Sequence, residues 1–376
     1  MCAFVCDKEP AILYCTVPSF NSTYCNKRSW VDATLDAMSL VALSGLATMP
    51  SAKPYTMRPL SSVDAQAMTS LIQGDGIGWQ QTADDISQLL RGDAADVVGA
   101  FEEGSGELVS VAALPRFRGD KGEWAWLCYV ATAPRARRQG LATGLVASLF
   151  QDLAAGTPAG LYGSALGAPL YASKFGFVDR GFAHLVRLPG SRLVDASAHL
   201  IGPTIGGLSL VRARDYGLRG IAELDEEVYC TNREDTLRRW AEAMPGAAWV
   251  LADDSGRCQG FILGRAASDG TVWLGPLIST SHSGAEALLR AALSGLPRSV
   301  SAVQMLAVDV WDHGRKHQAG TSEGLALVDS LGFEQLGAEP SRLMVRGIEP
   351  AWIKRAPGAR SAASARVFCA AGFEWG

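Results

Sequence analysis

Residues 135–144, Arg-Ala-Arg-Arg-Gln-Gly-Leu-Ala-Thr-Gly, set Arg135, Arg137 and Arg138 just ahead of Gly140, Ala142 and Gly144, where a helical pattern begins that runs to Leu153. A helix start exposes unpaired backbone N–H groups and partial positive charge, and small residues let an anion approach them closely. Guanidinium groups add charge-assisted hydrogen bonds. Such a loop can grip a diphosphate; the plain alternative is an arginine-rich strand-to-helix turn facing solvent. Neither the Gly-x-Gly-x-x-Gly dinucleotide fingerprint nor the Gly-Lys-Ser/Thr end of a P-loop is present. The eight cysteines show no zinc-like spacing, so no metal is expected. Cys128 lies inside an apolar strand with no base beside it, which argues against a covalent relay. Asp312, His313 and His317 form a polar cluster that reads as part of a disordered loop insertion, GRKHQAGTSEG at 314–324, rather than a metal site.

A loop of this kind must be presented by a sheet. WAWLCYVAT (124–132) reads as a single strand, almost continuously apolar as a sheet centre demands. Before it come a strand at YTMRPL (55–60) and a helix from Ser62 to Ile72, with Ser62 and Asp64 placed for capping. Strands at ADVVGAFEE (95–103) and ELVSVAALP (107–115) follow, parted by Gly104-Ser105-Gly106. After the loop come a helix, a strand at GLYGSA (160–165), a short helix at PLYASKF (169–175) and a strand at AHLVRL (183–188). The same order returns downstream. LSLVRA (208–213) is a strand, Asp215 to Tyr229 one or two helices, and 248–266 a hairpin turning at Asp254-Ser255-Gly256. TVWLGPLIS (271–279) stands in the place of WAWLCYVAT, followed by a helix from Gly284 to Leu296, a strand at VQMLAVDV (303–310), GLALVDSLGF (324–333) and SRLMVRG (341–347). The paired endings Gly176-Phe177 and Gly332-Phe333 carry most of the weight for a diverged internal duplication. The expected class is α/β with a mixed α+β sheet, in two copies. Residues 1–53 form an atypical extension with one amphipathic helix around 30–46, 54–190 the first domain, 191–207 a linker, 208–348 the second domain, and 349–376 a tail packing on a domain.

The 376 residues carry 34 basic and 38 acidic side chains, a formal net charge of -4, which gives no support for bulk nucleic-acid binding. The longest apolar stretch, 37–48, is too short for a membrane span and is broken by Gly45. Cys2, Cys6, Cys15 and Cys25 crowd the start beside the sequon Asn21-Ser22-Thr23, yet no charged-then-apolar leader pattern accompanies them. The reading is a reducing, cytoplasmic protein, a monomer or homodimer; an organellar transit segment at the N-terminus is the alternative.

A strand, Pro-x-x-Arg-x-x-Gly-x-Ala, a helix, a strand and then Leu-Tyr-x-x-x-x-Gly-Phe, spread over 55–189, resemble the GCN5-related N-acetyltransferase (GNAT) superfamily. The whole chain resembles the two-domain group related to the bacterial YitH and HolE proteins, through Gly78-Trp79, Trp-Leu-Gly-Pro-Leu at 273–277 and the closing ARVFCAAGFEWG. The resemblance implies a tandem acyltransferase fold and acetyl-CoA as donor. Val130 and Thr132 would pair with the pantetheine arm, and Arg137, Arg138, Gln139, Gly140, Leu141, Ala142 and Thr143 would cradle the pyrophosphate. Ser164 stands where an asparagine is frequent, and Tyr171 where a tyrosine near the CoA sulfur can give a proton to the leaving thiolate. For the general base, Glu123 and Asp75 are the candidates, with Glu102 and Glu103 behind them; His184 reads as structural. Trp79 and Trp126 would wall an acceptor pocket, and Arg233 and Asp309 resemble cleft positions of the subgroup. The helix start of the second half, Thr280-Ser281-His282-Ser283-Gly284-Ala285, lacks the arginine pair, so that half is expected to have lost the cofactor grip. The activity implied is transfer of an acetyl group from acetyl-CoA directly to a small-molecule or peptide amine; a non-catalytic CoA-thioester-binding sensor or scaffold is the alternative.

Overall fold

The computed structural model describes residues 54–91, 95–119, 122–154, 156–197, 204–229, 232–310, 323–337, 339–347 and 366–372. The amphipathic helix expected around 30–46, the early cysteines, and Asp312, His313 and His317 lie outside the described residues.

The first half runs β1 (Tyr55–Pro59), α1 (Ala65–Gln73), α2 (Ala83–Leu89), β2 (Ala95–Glu102), β3 (Leu108–Gly119), β4 (Gly122–Trp126), β5 (Cys128–Thr132), α3 (Leu141–Gln151), β6 (Ala159–Gly163), α4 (Ala168–Phe175) and β7 (Val178–Pro189). After α5 (Leu193–Ser197) and β8 (Thr204–Ile205), the second half runs β9 (Leu208–Arg212), α6 (Ala213–Tyr216), α7 (Leu218–Tyr229), α8 (Glu234–Ala243), β10 (Trp249–Ala252), β11 (Cys258–Ala266), β12 (Thr271–Ser279), α9 (His282–Ser294), β13 (Ala302–Val310), α10 (Glu323–Ser330), β14 (Glu334–Gln335) and β15 (Ser341–Arg346), with β16 (Arg366–Ala370) near the end.

Three features differ from the sequence reading. The single strand expected over 124–132 is two: Leu127 interrupts it, and Tyr129 takes a positive φ of 51°, so β4 and β5 leave in different directions. Helices α2 and α8 were not expected, although α8 buries Thr236, Leu237 and Trp240 along one face. Each nonetheless has a start signal: Thr82 and Asp85 form a reciprocal capping box, and Asn232 Oδ1 accepts the Glu234 N–H ahead of the acidic pair Glu234 and Asp235.

The sheet passes through both halves in the order β1-β2-β3-β4-β6-β15-β7-β13-β16-β12-β11-β10-β9-β8, with β5 paired to β3. Within each half the core order matches: β1-β2-β3-β4-β6 in the first, β9-β10-β11-β12-β13 in the second, where β4 and β6, like β12 and β13, are parallel. The closing strands are exchanged. β15, from the second half, lies antiparallel to β6 from Ala159↔Arg346 to Gly163↔Arg342. β7, from the first, pairs with β13 from Gly181↔Val310 to Pro189↔Ala302. Gly181 makes the exchange sterically feasible, since a Cβ there would stand 1.9 Å from the Asp309 carbonyl oxygen. One consequence is a shared core: Met68, Ile72, Trp124 and Trp126 of the first half pack in the same cluster as Leu306, Leu343 and Ala370 of the second. Both Gly-Phe endings close a helix in the left-handed region, Gly176 at φ 70° and Gly332 at φ 81°, and each delivers a buried phenylalanine, Phe177 and Phe333.

Candidate active site

The parallel pairing of β4 with β6 is confined to Ala125↔Ala159 and Trp126↔Gly160, and the last link is the Leu127 N–H to the Gly160 carbonyl. Beyond it β5 turns to β3 alone, so β5 and β6 part. Into the gap opens a cleft of about 870 Å³, lined by Val130 and Thr132 on β5, Ser164 after β6, Tyr171 on α4 and the loop from Pro134 to Thr143. Its other wall is the loop after α1, with Gly76, Ile77 and Trp79. Trp79 stands edge-on to Tyr129 at 6.0 Å.

Helix α3 opens into this cleft without a side-chain cap. Its N-cap is Gly140 in the left-handed conformation, φ 79°, and a Cβ there would meet nothing within 4 Å. The first-turn amides of Leu141, Ala142 and Thr143 therefore have neither a cap nor a preceding turn to donate to. Among the described residues the non-glycine positions with positive φ are Tyr129 and Arg138; Arg138 lines the cleft, and Tyr129 directly precedes Val130, which does. Such conformations cost roughly 1–3 kcal/mol each and concentrate where geometry serves function.

The three arginines have different fates. Arg135 is paired with Glu102 and Glu107, at 3.8 and 2.6 Å. Arg137 donates from Nε to the Thr132 carbonyl (3.1 Å) and from Nη2 to the Gly76 carbonyl (2.6 Å). Arg138 is exposed and has no ion pair or hydrogen bond among the described residues, so its charge is available. Gln139 donates to the Arg135 carbonyl at 3.5 Å.

Tyr171 is 7% exposed, and burial, followed by nearby Cys128, pushes its phenol well above the usual range. Ser164 accepts the Gly167 N–H through Oγ, holding the turn into α4. The remaining sequence candidates lie elsewhere. Glu123 sits on β4 with Arg116 and Arg118 at 4.0 and 3.6 Å and does not line the cleft. Asp75 is exposed beside Gly76, outside the lining. Glu102 takes Arg135 and Ser105, Glu103 takes Thr56, and His184 meets Gln335. Trp126 is 1% exposed and packs edge-on to Tyr162 at 4.9 Å, as core rather than pocket wall. Arg233 is buried in an ion pair with Asp225, 2.7 and 2.9 Å, beneath Tyr229 at 3.6 Å. Asp309 is half-buried at the end of β13, opposite Phe182. Ile77, Leu166 and Leu170 line the cleft although nothing in their spacing marks them. The lining contains no carboxylate and no histidine among the described residues, and no described group of histidine, cysteine or carboxylate side chains is arranged to hold a metal.

Two family models, each described as "Acetyltransferase (GNAT) domain", match residues 58–178 and 221–350, together well over half of the chain. The chain belongs to the GNAT superfamily. It carries two such domains in tandem, as does the solved tandem GNAT protein from the clavulanic acid biosynthesis pathway, which is 16% identical at a TM-score of 0.53 and aligns over 79% of this chain and 99% of its own. A Pyrococcus horikoshii chain whose acetyltransferase assignment is itself provisional aligns over 86% of this chain and 96% of its own, with 17% identity and a TM-score of 0.60. A GCN5-related N-acetyltransferase from Sphaerobacter thermophilus aligns over 79% and 96%, with 17% identity and a TM-score of 0.50. At these identities the likeness is one of fold. A search of curated proteins found no significant match.

The second GNAT half has the same architecture, but its equivalent features are closed. Ser281 caps α9, its Oγ accepting the Gly284 N–H at 3.1 Å. Where β12 and β13 part beyond Trp273↔Gln304, β16 fills the opening: Leu277 pairs with Cys369 on one side, and Leu306 with Ala370 on the other. The place that lies open between β5 and β6 is thus occupied in the second half by the chain's own strand. No described helix is long and apolar enough to cross a membrane.

Proposed function

We propose that the chain is an acyl-CoA-dependent N-acyltransferase whose first half binds acetyl-CoA and delivers its acetyl group directly to an amine. The observation that carries this reading is the opening between β5 and β6 that leads to the uncapped start of α3. These residues fit a CoA thioester. A pantetheine-like arm needs a strand edge to lie along, and β5 lines the cleft with Val130 and Thr132, the Thr132 carbonyl being already held by Arg137. A pyrophosphate needs amides with space above them, and the Leu141, Ala142 and Thr143 N–H groups beneath Gly140 have it. Arg138 adds free positive charge.

The thioester supplies an activated acyl group. The chain has three tasks: to hold it, to offer a hydrogen bond to the departing sulfur and to align the amine. Tyr171, kept protonated by burial, is placed on the lining to donate to the sulfur. Its phenol is too weakly acidic to give its proton away outright, so it stabilises the thiolate as a hydrogen-bond donor. The absence of a carboxylate or histidine from the described lining leaves proton removal from the amine to solvent or to the acceptor's own ionisation. Cys128 does not line the cleft, consistent with direct transfer. The same lack of a base favours the second reading, a CoA-thioester sensor without turnover, which predicts binding and no thiol release across an amine library.

The deciding experiment is calorimetric titration of acetyl-CoA into the full chain and into Gly140→Trp. One site per chain, weakened by at least about a hundredfold in the variant, is expected, because any side chain at φ 79° is strained and an indole fills the space above the amides. Two sites would mean that β16 and Ser281 do not close the second half. Heat-free titrations would remove the acyl-CoA reading altogether.

A further inference from the structure

Of the three loop arginines, Arg137 is the one whose hydrogen bonds span the cleft. From its place between β5 and α3 the guanidinium reaches the Thr132 carbonyl behind it and, at 2.6 Å, the Gly76 carbonyl on the facing loop. The facing loop is built to receive it. Gly76 sits at φ 80°, and a Cβ there would stand 2.7 Å from Pro134 Cγ, so the two loops meet backbone to ring with no room for a side chain. The loop is otherwise held by turns at its base, with the Ile77 and Gly78 N–H groups donating to the Gly74 carbonyl and the Trp79 N–H to the Ile72 carbonyl. Its far end is fixed by the second half, where the Ser268 N–H and hydroxyl donate to Gln80. Between these two anchors Trp79 enters the cleft wall. Two of the five N–H donors of the guanidinium, the Nε–H among them, are committed to these carbonyls, which fixes the group between the two loops and removes its Nε–Nη2 edge from bidentate phosphate binding.

We propose that Arg137 is a positioning residue rather than a phosphate ligand: it fastens the Gly74–Trp79 loop to the diphosphate-binding loop, so that the donor, once bound, orders the wall carrying Trp79 against which the amine is placed. The donor half of this inference rests on the acyl-CoA reading above; the fastening itself does not. Donor binding stiffens the loop from Pro134 to Thr143. Arg137 and the Pro134 contact carry that stiffening across the cleft, and by linkage a well-placed wall improves donor affinity in return. The charge of Arg137 remains near the cleft, but as background field.

The test is hydrogen exchange of residues 74–80 in the full chain, in Arg137→Ala and in Arg137→Lys, each with and without acetyl-CoA, beside the acetyl-CoA dissociation constant. Without donor, both variants should exchange this loop roughly tenfold faster while α1 is unchanged, since a lysine ammonium lacks the fixed Nε–Nη2 pair that meets the two carbonyls. With saturating donor the native loop should become protected, and that protection should be lost in both variants although the dissociation constant moves by less than about threefold. A tenfold or greater loss of affinity in Arg137→Ala, rescued by lysine and with a shallower salt dependence, would make Arg137 a phosphate ligand and overturn the proposal. Unchanged exchange of the loop in both variants would also overturn it. If the native chain binds no acetyl-CoA, the acyl-CoA reading fails, and the donor-free comparison still decides the fastening.

Discussion

Tyr171 shows how burial selects a chemical role. Its ring packs edge-on to Phe177 and is nearly enclosed, so ionising it would strand a charge in a low-dielectric site. The pKa is raised, so the phenol stays protonated through the neutral and mildly alkaline range; the form that donates to a thiolate is the one present at every working pH. Tyr171→Phe is therefore expected to lower kcat by about 10- to 100-fold with donor affinity nearly unchanged. The pH profile follows from the sign of the shift. The rate should rise with pH as the amine loses its proton, and no falling limb from Tyr171 should intrude below pH ~10. A falling limb between pH 8 and 10 in the native enzyme, absent in Tyr171→Phe, would assign the residue a depressed pKa and contradict its enclosure. In the sequence the glycine-arginine loop stood out by residue type and spacing, and Tyr171 only through the family resemblance. The sequence could not divide the labour among Arg135, Arg137 and Arg138, since adjacent guanidiniums differ only in the acceptors that folding brings to them.

Among the elements, α7 and α8 meet through the Asp225–Arg233 pair, which is at most 1% exposed on either side chain. Burial alone would lower the Arg233 pKa, but Asp225 and Tyr229 together outweigh it and hold the guanidinium firmly charged. An enclosed pair of this kind adds little over a hydrophobic replacement, yet removing one partner leaves the other charged and buried. Arg233→Ala should cost about 3–5 kcal/mol of stability, read from chemical denaturation, whereas the double change Arg233→Met with Asp225→Leu should recover most of it. Equal losses in the single and double variants would indicate that the pair holds something other than α7 to α8. The element scale is also where the sequence was most legible. Strands buried on both faces declare themselves as apolar runs, and the Gly-Phe endings mark two helix stops. The break at Leu127 was hidden because Trp124 to Thr132 is apolar on both sides of it; hydropathy registers burial, not the direction in which a strand leaves. Helix α2 was hidden by its seven residues, whereas α8, whose ten residues bury Thr236, Leu237 and Trp240 on one face, carried an amphipathic pattern that the sequence reading passed over.

For the whole molecule, the decisive feature is one that no local pattern encodes. The closing strands follow their expected helices, but each pairs in the opposite half: β15 against β6, and β7 against β13. Alternation and hydrophobicity specify which face a strand buries and leave its partner open. Exchange makes each half incomplete alone, because β6 would present an unpaired edge and the face of α1 would lose Leu306 and Leu343 from its core. The two GNAT halves should therefore unfold as one unit. Native-state hydrogen exchange in rising denaturant is expected to give β6 and β13 amides the same opening free energy within about 1 kcal/mol, with the same dependence on denaturant. Two separate isotherms, one for each half, would mean that the exchanged strands contribute little. A single isotherm would also explain why a half whose equivalent opening is filled by β16 is retained: it completes the sheet that holds β5 and β6 apart, and through Ser268 it anchors the loop carrying Trp79.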